Sequence, residues 1–359
     1  MLTLFRHCLF CLFAALLTVA GACAQGSYNT VDIGGIEYAR LPEVAKWYGF
    51  SPMKGRPGCV TYGAKDRRIS VTPQRQDFYV NNYRYILSYP VKESGGQLLI
   101  SCTDLRKLVD PVLRPKFSEA AGTLRTVIID PGHGGHDAGA VSPYAREKDC
   151  NLAVGLKLRD KLQKRGFKVV MTRDKDFFLT LHQRVEIANR VPDSIFVSVH
   201  HNSSGAHATG IETFTLAPHG TTSPFARTRR TEDLAGNNQD SENIALATAV
   251  HSRAIRASKA LDRGIQRARF SVLCTINRPA ILFEGGFVSN AEEGRKISTP
   301  AYQDMLAECI ADGIVAYSNQ VCRKRPAGAT PSTPATPGRG NVRTSISGSK
   351  IGTVTGGKK

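Results

Sequence analysis

Beyond its first 24 residues this 359-residue chain has six cysteines, Cys59, Cys102, Cys150, Cys274, Cys309 and Cys322, and no two of them form a C-x-x-C pair. That spacing argues against a cysteine-held zinc site. Residues 31 to 115 contain no histidine, no cluster with metal-ligand spacing and no paired carboxylates. Any chemistry therefore belongs further along the chain. Residues 323 to 359 contain eight Lys or Arg and no acid, among Pro, Thr, Gly and Ser. Such a segment cannot bury a core and is expected to be a disordered basic tail. The apolar run from Leu2 to Leu17, broken only by Arg6 and His7, is too short to span a bilayer comfortably.

That run does fit a secretory leader over residues 1–24. It has a basic start, a short apolar region and the small residues Ala20-Gly21-Ala22-Cys23-Ala24 at its exit. Cys23 offers a lipoprotein site instead, but Ala20 is a poor residue for the first position of that motif. The formal charge is +18, and without leader and tail the body keeps 39 basic against 30 acidic residues. Such a charge suits a polyanion: nucleic acid, anionic lipid or an acidic cell wall. Export to the periplasm or the cell exterior removes intracellular nucleic acid from that choice. An oxidising compartment also permits disulfides. Cys59 with Cys102 is one pairing, and buried thiols are the other reading.

Residues 31 to 115 read as a small α+β accessory domain. A hairpin-like start over Val31–Tyr38 precedes a helix from Leu41 to Tyr48, with Leu41, Val44, Ala45 and Tyr48 on one face. Strands follow near Cys59–Tyr62, Arg68–Thr72, Asp77–Val80, Tyr85–Leu87 and Leu98–Ile100, and a second helix over Thr103–Val109. The pattern resembles the small N-terminal module of copper amine oxidases, without implying copper, since histidine is lacking. Arg114 to Gly122 reads as a linker. From residue 123 to about 320 the rhythm is α/β. Strands are expected near 126–130, 168–172, 194–199, 210–215, 270–273 and 279–284, and helices near 148–165, 180–191, 241–259 and 300–318. That alternation predicts a mostly parallel sheet covered on both faces.

Three of these strands end in residues that carry chemistry. Thr126–Asp130 is a short apolar run stopped by Pro131-Gly132-His133-Gly134-Gly135. The glycines turn the chain sharply and leave His133 at the strand's carboxyl end, the edge where open α/β sheets bind ligands. Alone, His133 also fits a loop residue that hydrogen-bonds the backbone. Glu147 stands at a helix start, where a carboxylate ordinarily complements the helix dipole. Ser194–Val199 ends in His200-His201-Asn202, and strand periodicity does not decide which histidine faces His133. Two histidines and a glutamate make the set used for catalytic zinc, with a fourth position open to water. Glu284 closes the apolar run Ala280–Phe283. An acid there is costly to bury unless it is paired or functional, and near a water it could act as general base.

Residues 126 to about 318 resemble the catalytic domain of the zinc-dependent N-acetylmuramoyl-L-alanine amidases, the AmiC-like amidase 3 family. The resemblance rests on Ile129-Asp130-Pro131-Gly132-His133-Gly134-Gly135, Glu147-Lys148-Asp149-Cys150-Asn151-Leu152, Arg184-Val185-Glu186-Ile187-Ala188-Asn189, Phe196 to Asn202, and Phe283-Glu284-Gly285-Gly286-Phe287-Val288-Ser289-Asn290, in that order. It implies a twisted sheet of about six strands with flanking helices. It also implies zinc held by His133, Glu147 and His200, catalysis by Glu284, and cleavage of the amide between N-acetylmuramic acid and L-alanine in peptidoglycan. His201 stands where the family usually has a small residue. The segment 217–241 is longer than usual, with Arg227, Arg229 and Arg230. It reads either as a tolerated insertion or as a substrate loop. The chain is expected to act as a monomer with peptidoglycan as its partner, and nothing names a protein activator. The rivals are a zinc peptidase acting within the stem peptide and an inactive wall-binding protein.

Overall fold

The computed structural model describes residues 28–114, 124–223 and 232–321. The leader, Arg227, Arg229, Arg230, the basic tail and the linker apart from Arg114 lie outside the described residues. The N-terminal part runs β1 (Thr30–Asp32), β2 (Glu37–Arg40), α1 (Leu41–Trp47), β3 (Ser51–Met53), β4 (Val60–Gly63), β5 (Arg68–Val71), β6 (Asp77–Val80), β7 (Tyr83–Ile86), β8 (Lys92–Ser94), β9 (Gln97–Ser101), α2 (Cys102–Asp104), a π turn over Leu105–Val109, and α3 (Asp110–Leu113). The C-terminal part runs β10 (Thr126–Pro131), α4 (Glu147–Lys164), β11 (Lys168–Met171), α5 (Leu181–Asn189), β12 (Ser194–Asn202), β13 (Ile211–Leu216), a 3-10 turn over Ala235–Gln239, α6 (Asp240–Ser258), β14 (Asp262–Ala268), α7 (Ser271–Cys274), β15 (Ala280–Phe287), α8 (Ala291–Ile297) and α9 (Pro300–Val321).

Among the described residues the strands form two sheets. A small one has the order β1-β2-β9-β8, and a large one the order β11-β10-β12-β15-β13-β14-β7-β6-β5-β4-β3. The six strands of the C-terminal part are the expected α/β sheet. Strands β11, β10, β12 and β15 run parallel, β13 runs antiparallel to β15, and β14 runs parallel to β13. The sheet then continues into the N-terminal part through Tyr85 on β7 beside Ile265 on β14. No described helix is long and apolar enough to cross a membrane.

Both faces of the central strands are covered, so these strands read as continuous apolar runs. Ile195, Val197 and Val199 of β12 join Val127, Ile129, Ile281 and Phe283 in the core shared with Leu158, Val250, Leu306 and Ile310 of α4, α6 and α9. Phe196 faces the other way, with Ile128, Phe214, Leu282, Val185 of α5 and Val272 of α7. Each such side chain contributes about 1.5–3 kcal/mol when withdrawn from water.

One expected strand is corrected. Residues 271–273 lie in the helical turn α7, with Phe270 just before it, and the sixth strand is β14. The sequence of β14, Asp262-Arg263-Gly264-Ile265-Gln266-Arg267-Ala268, hides it because its polar residues find partners only in the folded chain. Asp262 accepts from the Arg84 amide at 3.0 Å, Arg263 meets Glu212, and Arg267 donates to the carbonyl of Lys107. The pairing of Cys59 with Cys102 does not form: Cys59 is a free thiol, 3.5 Å from the Thr72 hydroxyl. Gly236 and Asn237, which suggest a surface loop in sequence, are buried under β13. A side chain at 236 would collide with the Leu273 carbonyl, and Asn237 donates to the Ala217 carbonyl at 3.1 Å.

Candidate metal centre

The site begins beneath itself, at Asp130. This carboxylate is 1% exposed at the end of β10. It accepts from Thr172 Oγ1 at 2.6 Å, Ser198 Oγ at 2.8 Å and Arg184 Nη1 at 2.7 Å. Burial pushes its pKa up, but the Arg184 charge and these hydrogen bonds outweigh burial and hold it below the ordinary value. Arg184 also donates to the carbonyls of Pro131 and His133, and buried Arg173 to those of Pro131, Gly132 and Lys148. Two guanidiniums thus fix the turn after β10 by its backbone. The turn needs that support, because His133 adopts φ +60, a left-handed conformation costly for a residue with a Cβ. At Gly132, any Cβ would run into the His200 ring.

His133, Glu147 and His200 meet above this turn. One ligand atom from each lies within 4.8 Å of the others. His133 Nε2 is 3.1 Å from Glu147 Oε2, and His200 Nδ1 is 2.8 Å from Glu147 Oε1. The other His133 nitrogen, Nδ1, is 2.8 Å from Asp137 Oδ2, a carboxylate that orients the ring. Glu147 opens α4 without a side-chain cap on the preceding residue. Its Oε2 accepts from the Ala140 amide at 2.8 Å, and its Oε1 from Asn151 Nδ2 at 3.2 Å. Burial raises the Glu147 pKa, yet hydrogen bonds and charge from both histidines overcome it and keep the carboxyl ionised. Burial lowers the His133 pKa, but Glu147 and Asp137 bring it above the ordinary value.

The register of the sheet sets the rest. His200 pairs with Glu284 across β12 and β15, and Glu284 pairs with Glu212 across β15 and β13. Cross-strand partners point to one face, so His200, Glu284 and Glu212 form a row. Glu284 Oε2 is buried and has no hydrogen-bond partner. Burial, then the charges of Glu147 and Glu212, raise its pKa well above the ordinary value. Glu212 is 4% exposed and held by Asn202, Arg263 and Gln266. His201 takes the opposite face. It is 1% exposed, sits 2.8 Å from Asn151 Oδ1, and is pushed down to about 4 by burial. The histidine that periodicity left undecided is therefore His200 at the cluster and His201 beneath it.

All four residues singled out in the sequence come to one edge of the sheet. Sequence reasoning did not single out Asp137, Asn151, Arg173 or Glu212. Asp137, four residues after His133, was findable as a carboxylate beside a histidine. Glu212 had no local signal, since its role depends on which strand lies next to β15.

Residues 127–316, more than half of the chain, match the family described as N-acetylmuramoyl-L-alanine amidase. YqiI of Bacillus subtilis (strain 168), described as an uncharacterized protein, is 36% identical over 196 residues, covering 55% of this chain and 86% of YqiI. The N-acetylmuramoyl-L-alanine amidase AmiA of Escherichia coli (strain K12) is 30% identical over 250 residues, covering 62% of this chain and 86% of AmiA. The amidase AmiC of Escherichia coli O6:H1 is 34% identical over 242 residues, and the match spans 60% of this chain and 58% of AmiC.

Proposed function

This chain belongs to the N-acetylmuramoyl-L-alanine amidase family and is an enzyme of that kind, and from that premise we propose that it is an exported, zinc-dependent peptidoglycan hydrolase. The observation that carries the proposal is the convergence of His133, Glu147 and His200 within 4.8 Å. Two imidazoles and an ionised carboxylate are a zinc donor set, and the contact of His133 Nδ1 with Asp137 leaves Nε2 for the metal. Zinc held there supplies a Lewis acid for the scissile carbonyl and a nucleophile from water at neutral pH.

The protein's own groups do the remaining work. Glu284 takes the proton of the attacking water and returns it to the nitrogen of L-alanine as the amide breaks. A carboxyl whose pKa burial raises holds a proton more tightly, which suits a group that must return one to the leaving amine. Glu212 pairs with Arg263 and stands beside Glu284 on the neighbouring strand. The leader over residues 1–24 supports export, residues 31–115 serve as an accessory module, and the basic body favours the anionic wall.

The test is digestion of defined muropeptides by the purified protein, with and without a chelator, read by mass spectrometry. The expected products are intact glycan and a peptide with a free L-alanine amine, both lost with the chelator. Cuts inside the stem peptide would assign the site to a peptidase instead.

A further inference from the structure

Next to the metal cluster the chain holds apolar side chains in solvent. Phe177 is 41% exposed, Phe178 39% and Leu181 54%. Ordinarily an exposed ring on a loop needs no account. Here the loop, residues 173–180, is tied down from several sides. Arg173 anchors its start to the backbone of the ligand-bearing turn. Asp176 accepts from the Gly135 amide at 2.8 Å and the Lys148 ammonium at 2.6 Å. A capping box, Thr180 with Gln183, closes its end onto α5. A Cβ on Gly134 would strike the Phe177 carbonyl, and one on Gly135 would lie 2.7 Å from the Phe178 nitrogen. Two glycines next to His133 therefore let this loop lie directly on the turn that carries the metal ligand.

The outer surface of that contact is aromatic. The His136 ring lies 4.1 Å from the Phe178 ring, centroid to centroid, at 35°. Lys148 and Asp176 neutralise each other, and Lys175 of the same loop is exposed. An apolar patch on a tied-down loop that lies on the ligand-bearing turn suits a binding surface. A rigid backbone has already lost the entropy that binding would otherwise cost.

We propose that the His136–Phe178 face, extended by Phe177, is a saccharide platform on which a pyranose ring of the glycan strand stacks, placing the lactyl amide over the metal cluster. The inference rests on the amidase reading above. The substrate of that reaction has two halves of different chemistry. The stem peptide carries carboxylates and calls for cations, whereas the outer face here is a pair of packed rings, His136 and Phe178. A sugar ring presents a neutral face of C–H groups, which an aromatic ring accepts without an ionic partner.

The experiment uses the full protein, the Phe177→Ala/Phe178→Ala variant and Phe178→Tyr. On a muropeptide carrying a glycan chain, the double alanine variant should raise KM roughly five- to tenfold, the loss of one or two aromatic contacts. On an N-lactoyl peptide with no sugar its KM should equal that of the parent, and Phe178→Tyr should restore the glycan-bearing KM. Titration with peptide-free glycan oligosaccharides should shift the amide resonances of Gly135 and Phe178 in the parent protein. An equal KM rise on both substrates would hand the platform to the peptide and overturn the proposal, as would a glycan-bearing KM that does not move. Glycan-induced shifts without any cleavage would uphold the platform and refute the amidase reading, so the two failures are distinguishable.

Discussion

Asp130 and His133 lie three residues apart at the end of one strand, in polar clusters of opposite kinds. Around Asp130, a buried carboxylate meets one guanidinium and two hydroxyls, and each of its contacts is a good hydrogen bond. Around His133, two imidazoles crowd Glu147, Asp137 holds the outer nitrogen of His133, and a third carboxylate, Glu284, keeps a buried oxygen with no partner. The first cluster is closed: its charges already balance. The second is open, because one ligand atom from each of His133, Glu147 and His200 lies within 4.8 Å of the others, a grouping that could hold a metal ion. Burying polar groups is costly in both, but only the second has capacity left for a ligand. Polarity alone does not mark a site; unspent polarity does.

The sharpest way to break this contrast is to remove a member of the open cluster. His133→Ala and His200→Ala should lose both stoichiometric zinc and measurable turnover, while His201→Ala retains zinc. Elemental analysis beside a muropeptide assay reads both outcomes, and zinc retained by His200→Ala would mean that the wrong histidine is placed at the centre. Next in size is Glu284→Gln, which keeps shape and removes the base. Its turnover should fall roughly 10²–10⁴-fold with zinc content unchanged. Near-parental turnover in that variant would remove Glu284 from the chemistry.

The closed cluster should answer in stability. Arg184→Met strands Asp130 as an uncompensated buried charge, a loss of about 3–5 kcal/mol. At this size that corresponds to a drop of roughly 6 °C or more in Tm. An unchanged melting curve would show that Asp130 does not need its partner. A gentler comparison uses pH, with chelator present. Asp130 has a lowered pKa, so its stabilisation is full above its ordinary value of 3.8 and fades only as pH falls below that. Glu284 has a raised pKa, so the folded state holds its proton more tightly than the unfolded chain. Its contribution is full below its ordinary value of 4.5 and is lost as pH rises from there. Glu284→Gln should therefore gain Tm over the parent as pH climbs from about 5 to 8. A difference that stays flat across that range would contradict the raised pKa.

Much of this was legible in the chain. The apolar runs of β10, β12 and β15 lead into His133, His200 and Glu284, because strands covered on both faces are mostly apolar. Helices α4, α5, α6 and α9 lie within a few residues of their expected ranges. What escaped reading was polar and buried. Strand β14 carries two arginines and an aspartate, and only partners from Arg84, Glu212 and Lys107 make it a strand.

The sequence by itself determined the kind of fold and the ingredients of the site, since hydrophobic periodicity, turn glycines and the types of the terminal residues are local properties of the chain. Strand periodicity could not say that His200 rather than His201 faces His133, although the family resemblance pointed to His200. That choice follows from strand register, which pairs His200 with Glu284 and leaves His201 against Asn151 on the other face. Nor could it say that Asp137 orients His133 or that Glu212 stands in line with Glu284. Those relations arise between segments distant along the chain or across a turn. Their energies exist only once the sheet has brought the residues together and excluded water from between them.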